Sequence, residues 1–347
     1  MTQRSSKRKA AWLLVVLTPL IAELSLGSTP ITLAWFVILW VPVYGAGVLL
    51  IRELTFRAGR GWPSLVVLGV AYELLEDGLG LQALTSPHLY DAAQWGLRVF
   101  GFNVPYWEAN ALYHIVFTVL IPIALVELLF PEQRRRPYLR KRTTTLVAVV
   151  AVLGTAILRV AVPPSQDPGY QAPMPYIVAF AIVIVGLGII ALVVLPRRFD
   201  SDGTPLSSRT SRALAPVNLW WWRIGAGAAV LVGMYLTFPT FGAEQPVFTQ
   251  GSLVLVPMLL ALALTAVSAW ILNAASRSEQ WNERSTLAVI AGALVAHTVG
   301  GMIFLMPNTI NLIGLVVILV VTVLAMIGLD RRLQVRISRG TAGDHVR

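Results

Sequence analysis

Runs of about 20 mostly apolar residues recur along the whole 347-residue chain, and that is the length an α-helix needs to cross a hydrocarbon core about 30 Å thick. Ten such runs are present, at roughly 11–27, 31–51, 62–83, 109–130, 144–162, 175–196, 219–238, 251–272, 286–304 and 309–329. Alternation with period two is absent. Stretches such as 182–194 are apolar all round, so helices rather than barrel strands must satisfy the backbone in lipid. The expected fold is therefore all-α, a polytopic transmembrane helix bundle of about ten spans. Charged residues make up 13% of the chain against 56% hydrophobic, roughly half the charged share of a soluble domain, which excludes a water-soluble globular enzyme. The absence of cysteine removes disulfides, thiolate metal sites and cysteine nucleophiles.

Direction follows from the basic residues, which favour the cytoplasmic side of a membrane. With the N-terminus inside (Arg4, Lys7, Arg8, Lys9), every one of the 27 Lys and Arg falls in an inner loop or tail except Arg98, Arg159 and Arg223. Ten spans place both termini in the cytoplasm, and the expected location is the inner or plasma membrane of a prokaryote. The net charge of +10 then reads as topology, with anionic lipid headgroups at the inner face as its partner and no nucleic acid required. Basic residues before Trp12–Ala22 also resemble a signal peptide. No small-x-small cleavage site follows, and retention of the first span is expected.

The two halves differ. Residues 1–130 read as a polar four-helix membrane bundle, with Pro19, Pro42 and Pro122 inside spans, where each removes a helix hydrogen bond and invites a bend. Residues 131–143 read as a basic cytoplasmic linker, 144–329 as an apolar six-helix scaffold and 330–347 as a cytoplasmic tail. The outer connection before Glu108 has Ser86 as a helix cap, Pro87 at the first position and Gly101 as a stop. Polar His88, Asp91, Gln94 and Arg98 opposite Leu89, Ala93, Leu97 and Phe100 predict an interfacial helix over 87–100.

Glu73, Glu76 and Asp77 are spaced i, i+3, i+4 and share one face of the third span, about 16–22 Å into the membrane from Trp62. Each central charge costs about 2.5–3.5 kcal/mol to insert, whereas a Leu or Val returns only about 0.3–0.6. Three such acids must be protonated, paired, or turned toward water or protein. Asn110, His114 and Thr118 form an i, i+4, i+8 stripe on the fourth span, and Arg159, Glu23 and His297 fall at comparable depth. The candidate ion- or substrate-binding residues are Glu73, Glu76, Asp77, His114, Glu23, Arg159 and Asn110. A divalent metal on Glu76, Asp77, His114 and His297 is allowed by ligand type. Glu127 beside Arg134–Arg136, and Glu53 beside Arg52, read as simple interface pairs. No dinucleotide fingerprint, Walker loop or His-Glu-x-x-His motif occurs, and no cofactor is expected.

Two resemblances follow from these residues. Glu76-Asp77-Gly78-Leu79, Ser86-Pro87-His88, Tyr113-His114, Ile121-Pro122-Ile123 and Glu127-Leu128-Leu129-Phe130-Pro131 resemble an uncharacterised family of multi-pass prokaryotic membrane proteins over roughly residues 70–131, which implies topology alone. Glu76-Asp77 with His114 and His297 also resembles the acidic pair and later histidines of the CPBP intramembrane proteases. Leu81 stands where that motif has arginine, and Asn110 where it has phenylalanine before the first histidine. That resemblance implies Glu76 activating water while His114 and His297 stabilise an oxyanion.

The favoured expectation is proton- or cation-coupled transport or permeation of a small solute through the carboxylate and histidine site. The alternatives are an intramembrane hydrolase and a non-catalytic membrane-complex subunit, whose partner helix would seat on small residues such as Gly225–Ala229.

Overall fold

The computed structural model describes residues 3–90, 96–200, 203–206, 217–237, 248, 251–305 and 307–344. Within them the chain is an all-α polytopic bundle with almost no strand. The long helices are α1 (3–24), α2 (Ile31–Arg57), α3 (62–80), α4 (Val104–Leu129), α5 (Lys141–Ala161), α6 (Met174–Val194), α7 (Leu219–Thr237), α8 (Gly251–Ala275), α9 (Glu283–Phe304) and α10 (Thr309–Asp344). Eight are long and apolar enough to cross a membrane. The other two are α1, whose first turns hold Lys7, Arg8 and Lys9, and α3, which holds the three acids.

The chain divides into two compact units. The first comprises Met1–Glu23, Leu33–Ser208 and Leu236–Leu259, and so takes in α1 to α6. The expected boundary at residue 130 differs from this division. α5 buries Ala151, Gly154, Thr155 and Leu158 along one stripe, and α6 buries Phe180 against Gly78 of α3. Small residues at helical spacing let α5 lie close to α2, where Gly154 abuts the Pro42 backbone. Sequence hydropathy reports how apolar a helix is, not which neighbour it chooses.

The second unit comprises Leu24–Thr32, Arg209–Tyr235 and Leu260–Arg347, and contains most of α7 and α8 with α9 and α10. Gly227 of α7 faces the Gly292 carbonyl and Ala296 of α9, so part of the small-residue patch expected to receive a foreign helix is occupied by this chain's own. Asn282 caps α9 in a reciprocal box with Ser285. α10 continues unbroken to Asp344, so residues 330–344 of the expected tail are helical. Residues 345–347, His345 included, lie outside the described residues.

Two further expectations change. The interfacial helix expected over 87–100 does not reach its C-terminal end, Leu89 and Tyr90 lie in a 3-10 turn, and residues 91–95, with Asp91, Ala93, Gln94 and Trp95, lie outside the described residues. Ser86 does accept from the Leu89 amide as a cap, but Arg98–Val99 and Phe102–Asn103 pair as an antiparallel hairpin. Its two-residue turn is Phe100-Gly101, with φ of 51° and 88°, the left-handed pair that a tight hairpin turn requires. At this end local turn geometry overrides the amphipathic pattern.

The second change concerns 131–143, which is a docked segment rather than a free linker. Arg52 donates to the Gln133 and Arg136 carbonyls at 3.2 and 2.9 Å, and Glu53 accepts from the Tyr138 and Leu139 amides. Arg52 and Glu53 are shut off from solvent completely, so they are buried anchors and not interface pairs. Glu127 belongs to the same network, 3.4 Å from Arg52. The loop 58–61 joins this end through the Gly59 carbonyl, which accepts from the Arg198 and Phe199 amides.

Candidate functional site

Pro19, Pro42 and Pro122 have a shared consequence in the first unit. Beside or across each, the helix widens from i→i−4 to i→i−5 hydrogen bonding, at Leu20–Leu24, Val41–Gly45 and His114–Leu120. A fourth such stretch, Leu74–Gly80 in α3, contains Gly78 and Gly80. The pattern is explicit in the Leu81 amide bonding to the Glu76 carbonyl at 2.7 Å. Widened turns of this kind are frequent at functional sites. Glu23, Tyr44, Glu76, Asp77, His114 and Thr118 all stand on them.

These turns bring several sequence-predicted residues together. His114 Nδ1 lies 3.7 Å from Glu76 Oε2 and 3.0 Å from Thr118 Oγ1. Tyr44 donates its hydroxyl to Glu23 Oε1 at 2.6 Å, and the Tyr44 and Tyr72 hydroxyls face the Glu76 carboxyl. Tyr113 donates to the Ala22 carbonyl. Rings of Tyr44, Tyr72 and Tyr113 stand 6.1, 5.6 and 5.0 Å from the His114 ring, centroid to centroid. The result is a carboxyl and an imidazole inside a wall of phenols.

Glu73, Glu76, Asp77, Glu108 and His114 are all buried. Both oxygens of Glu73 and of Glu108, with Glu76 Oε2 and Asp77 Oδ2, have no hydrogen-bond partner among the described residues. None of these four acids forms an ion pair with Lys or Arg there. Arg159, at comparable depth in the sequence, donates instead to the Leu79 carbonyl and to Gln171 Oε1. Asn110 returns its amide to the Tyr106 carbonyl one turn earlier. His297 belongs to the second unit, where its Nδ1 meets Ser25 Oγ at 3.0 Å. Among the described residues no three His, Asp or Glu side chains are grouped to hold a metal.

Glu108, Tyr44 and Tyr72 are not marked by the sequence pattern, and Tyr113 enters there only beside His114 in the family resemblance. Glu108 stands one residue before the apolar run that marks the fourth span, but α4 begins at Val104, capped by Asn103 and opened by Pro105. Asn103 followed by Pro105 is a helix start signal that carries the span back far enough to include it. Phenols count as ordinary apolar residues in a hydropathy profile, so only their periodic placement near the acids could have marked them.

A family-level sequence comparison matches residues 12–271, about three-quarters of the chain, to a family described as an uncharacterised membrane protein family. The chain belongs to that family. The multi-pass resemblance seen over residues 70–131 thus extends well beyond the motifs that first carried it. No curated protein and no solved structure matches the chain. Nothing among these comparisons supports the intramembrane-protease resemblance.

Proposed function

We propose that this membrane protein carries or passes a small solute across the bilayer in a cycle coupled to a proton or cation bound at Glu76, Asp77 and His114. The observation that carries the reading is the surplus of buried acid: four carboxyls, Glu73, Glu76 and Asp77 on α3 and Glu108 on α4, with no Lys or Arg paired to them among the described residues. A purely structural cluster would satisfy its oxygens, since an unmet polar group in hydrocarbon costs several kcal/mol, on the order of 2–7. A site that takes up and releases a positive charge must leave them unmet in one state. The widened turns at Pro19, Pro42 and Pro122 supply the hinges such a cycle needs. On this reading the basic ends of α2, α4 and α6 face the cytoplasm and its anionic headgroups, and the chain resides in the cell membrane.

The experiment is a pH-jump flux assay in proteoliposomes loaded with a panel of small metabolites, comparing wild type with Glu76→Gln and Asp77→Asn. Coupling predicts pH-driven flux in wild type and at least a tenfold loss in each variant. Equal flux in all three removes the proposal.

A further inference from the structure

We infer that the coupling ion is the proton, and that it moves between Glu76 and Glu23 through the hydroxyl of Tyr44. This rests on the transport reading and names its ion and route. The first support is geometric: the Tyr44 hydroxyl donates to Glu23 Oε1 at 2.6 Å and faces Glu76, whose neighbour His114, 3.7 Å away, has its ring 6.1 Å from that of Tyr44. Its hydroxyl sits between a carboxyl on α1 and a carboxyl on α3. The second is the state of the surroundings. Tyr72, buried on the same side, keeps its hydroxyl oxygen without a partner although it faces Glu76. The Tyr72 hydroxyl can donate to Glu76 as a carboxylate and accept from it as a carboxylic acid, so both states that a proton relay visits are served.

The lining suits a proton better than a coordinated metal cation. A hard metal ion takes about six to eight oxygen ligands in a shell around it. Here the space beside Glu76 is walled by the rings of Tyr44, Tyr72, Tyr113 and His114 at 5.0–6.1 Å spacing, and no three-ligand group exists among the described residues. The other ionisable groups near Glu76 include Glu73 and Asp77 on its own helix, Tyr106 and Tyr113 on α4, and Tyr90. From α5 and α6, Thr155, Leu158 and Phe180 cover Gly78 and Gly80, and Arg159 is committed to Leu79. None of these brings a positive charge to the carboxyl.

The transfer balances without any further reactant. Tyr44 gives its hydroxyl proton to the Glu23 carboxylate, forming a Glu23 O–H bond, as its oxygen takes the proton leaving Glu76. Tyr44 ends as a neutral phenol, Glu76 as a carboxylate and Glu23 as a carboxylic acid. The reverse sequence resets it. On the far side of Glu76, His114 Nδ1 at 3.7 Å and Thr118 Oγ1 beyond it continue the polar line.

The test is infrared difference spectroscopy on the full-length protein in phosphatidylglycerol–phosphatidylcholine vesicles, reading the carboxylic-acid carbonyl bands after a switch from water to deuterium oxide. Glu76→Gln assigns the Glu76 band, and Tyr44→Phe keeps the ring while removing the hydroxyl. The relay predicts that Tyr44→Phe shifts the Glu76 band and slows its deuterium exchange at least tenfold, whereas Tyr113→Phe, which faces the Ala22 carbonyl, leaves the rate within twofold. Unchanged exchange in Tyr44→Phe overturns the relay while leaving the site standing. A spectrum from which Glu76→Gln removes no titrating band overturns both. A band displaced by sodium chloride but not by matched choline chloride identifies a metal cation and overturns the proton assignment. Because a misfolded Tyr44→Phe protein would alter every band, Tyr72→Phe serves as a second variant: it should shift the Glu76 band without the tenfold slowing, and equal slowing in both overturns the route through Tyr44.

Discussion

The guanidinium of Arg52 lies 3.4 Å from the ring centroid of Tyr138, and this contact locks the segment after α4 onto the end of α2. Arg52 is at once stacked on an aromatic face, paired with Glu53 and Glu127 at 3.6 and 3.4 Å, and bonded to two backbone carbonyls. A charge so fully removed from water is held only by that complete set of partners. Removing one partner leaves the others uncompensated.

Arg52→Met is therefore expected to destabilise the protein by about 3–5 kcal/mol, the usual cost of stranding a buried carboxylate. Thermal unfolding in detergent checks it. The double variant Arg52→Met/Glu127→Leu should recover part of the loss, because it also removes one of the stranded acids. A double variant no more stable than the single one would show that Arg52 acts through packing on Tyr138 alone.

Gly292 of α9 sits where a methyl group would run into the Arg223 carbonyl of α7. Backbone cannot swing aside as a side chain does. Gly292→Ala should cost about 1–3 kcal/mol by forcing the two helices apart. Gly225→Ala is the matched control, since no atom lies within 4 Å of its added methyl, and better helix propensity should make it neutral or more stable by up to about 1 kcal/mol. Equal melting temperatures for the two variants would contradict the close α7–α9 contact.

How much of this was legible in the sequence depends on the range of the interaction. Helix placement follows from a local property, the length of apolar runs, and the ten runs correspond to the ten long helices. The grouping of Glu76, Asp77 and His114 was suggested by an energetic constraint on each residue alone, and the structure brings Glu76 and His114 together. What escaped depends on partners far along the chain. Glu53 accepts from Tyr138, 85 residues later, and nothing local distinguishes that from a solvated pair. The hairpin at Phe100-Gly101 is locally readable, because Val99 and Phe102 flank a residue pair ending in glycine, but it competes with a helical periodicity in the residues before it.

Ser86 and Asp167 make a second long-range tie. The serine hydroxyl donates to Asp167 Oδ2 at 2.6 Å while accepting from the Leu89 amide. Gln82 Oε1 adds the Ala172 amide at 2.6 Å. Ser86→Ala should loosen residues 82–90 locally by about 1–3 kcal/mol, the cost of leaving buried groups unmet, with little change in global unfolding. Hydrogen exchange resolved by mass spectrometry should show roughly 5- to 150-fold faster exchange there. Uniform acceleration across α1 to α6 would instead mean that the tie supports the whole unit.

Glu73 offers the sharpest separation of stability from function. It is fully buried, and neither oxygen is within hydrogen-bond distance of a partner among the described residues although the Trp107 indole N–H lies nearby, so in the resting fold the carboxyl costs more than it returns. Replacing it with leucine, close in volume and free of polar atoms, should raise the melting temperature, with a gain of about 1–3 kcal/mol. The same change should lower pH-driven flux in proteoliposomes, because groups kept at such expense are those the working cycle uses. Glu53→Leu is the contrast: that acid accepts two amides and faces Arg52 and Arg57, so its loss should destabilise. If Glu73→Leu melts lower than wild type, then the carboxyl is held by an interaction that outweighs its burial, and the unmet acids lose their functional reading. If it melts higher with flux unchanged, Glu73 lies outside the coupled site, which then contracts to Glu76, Asp77 and His114.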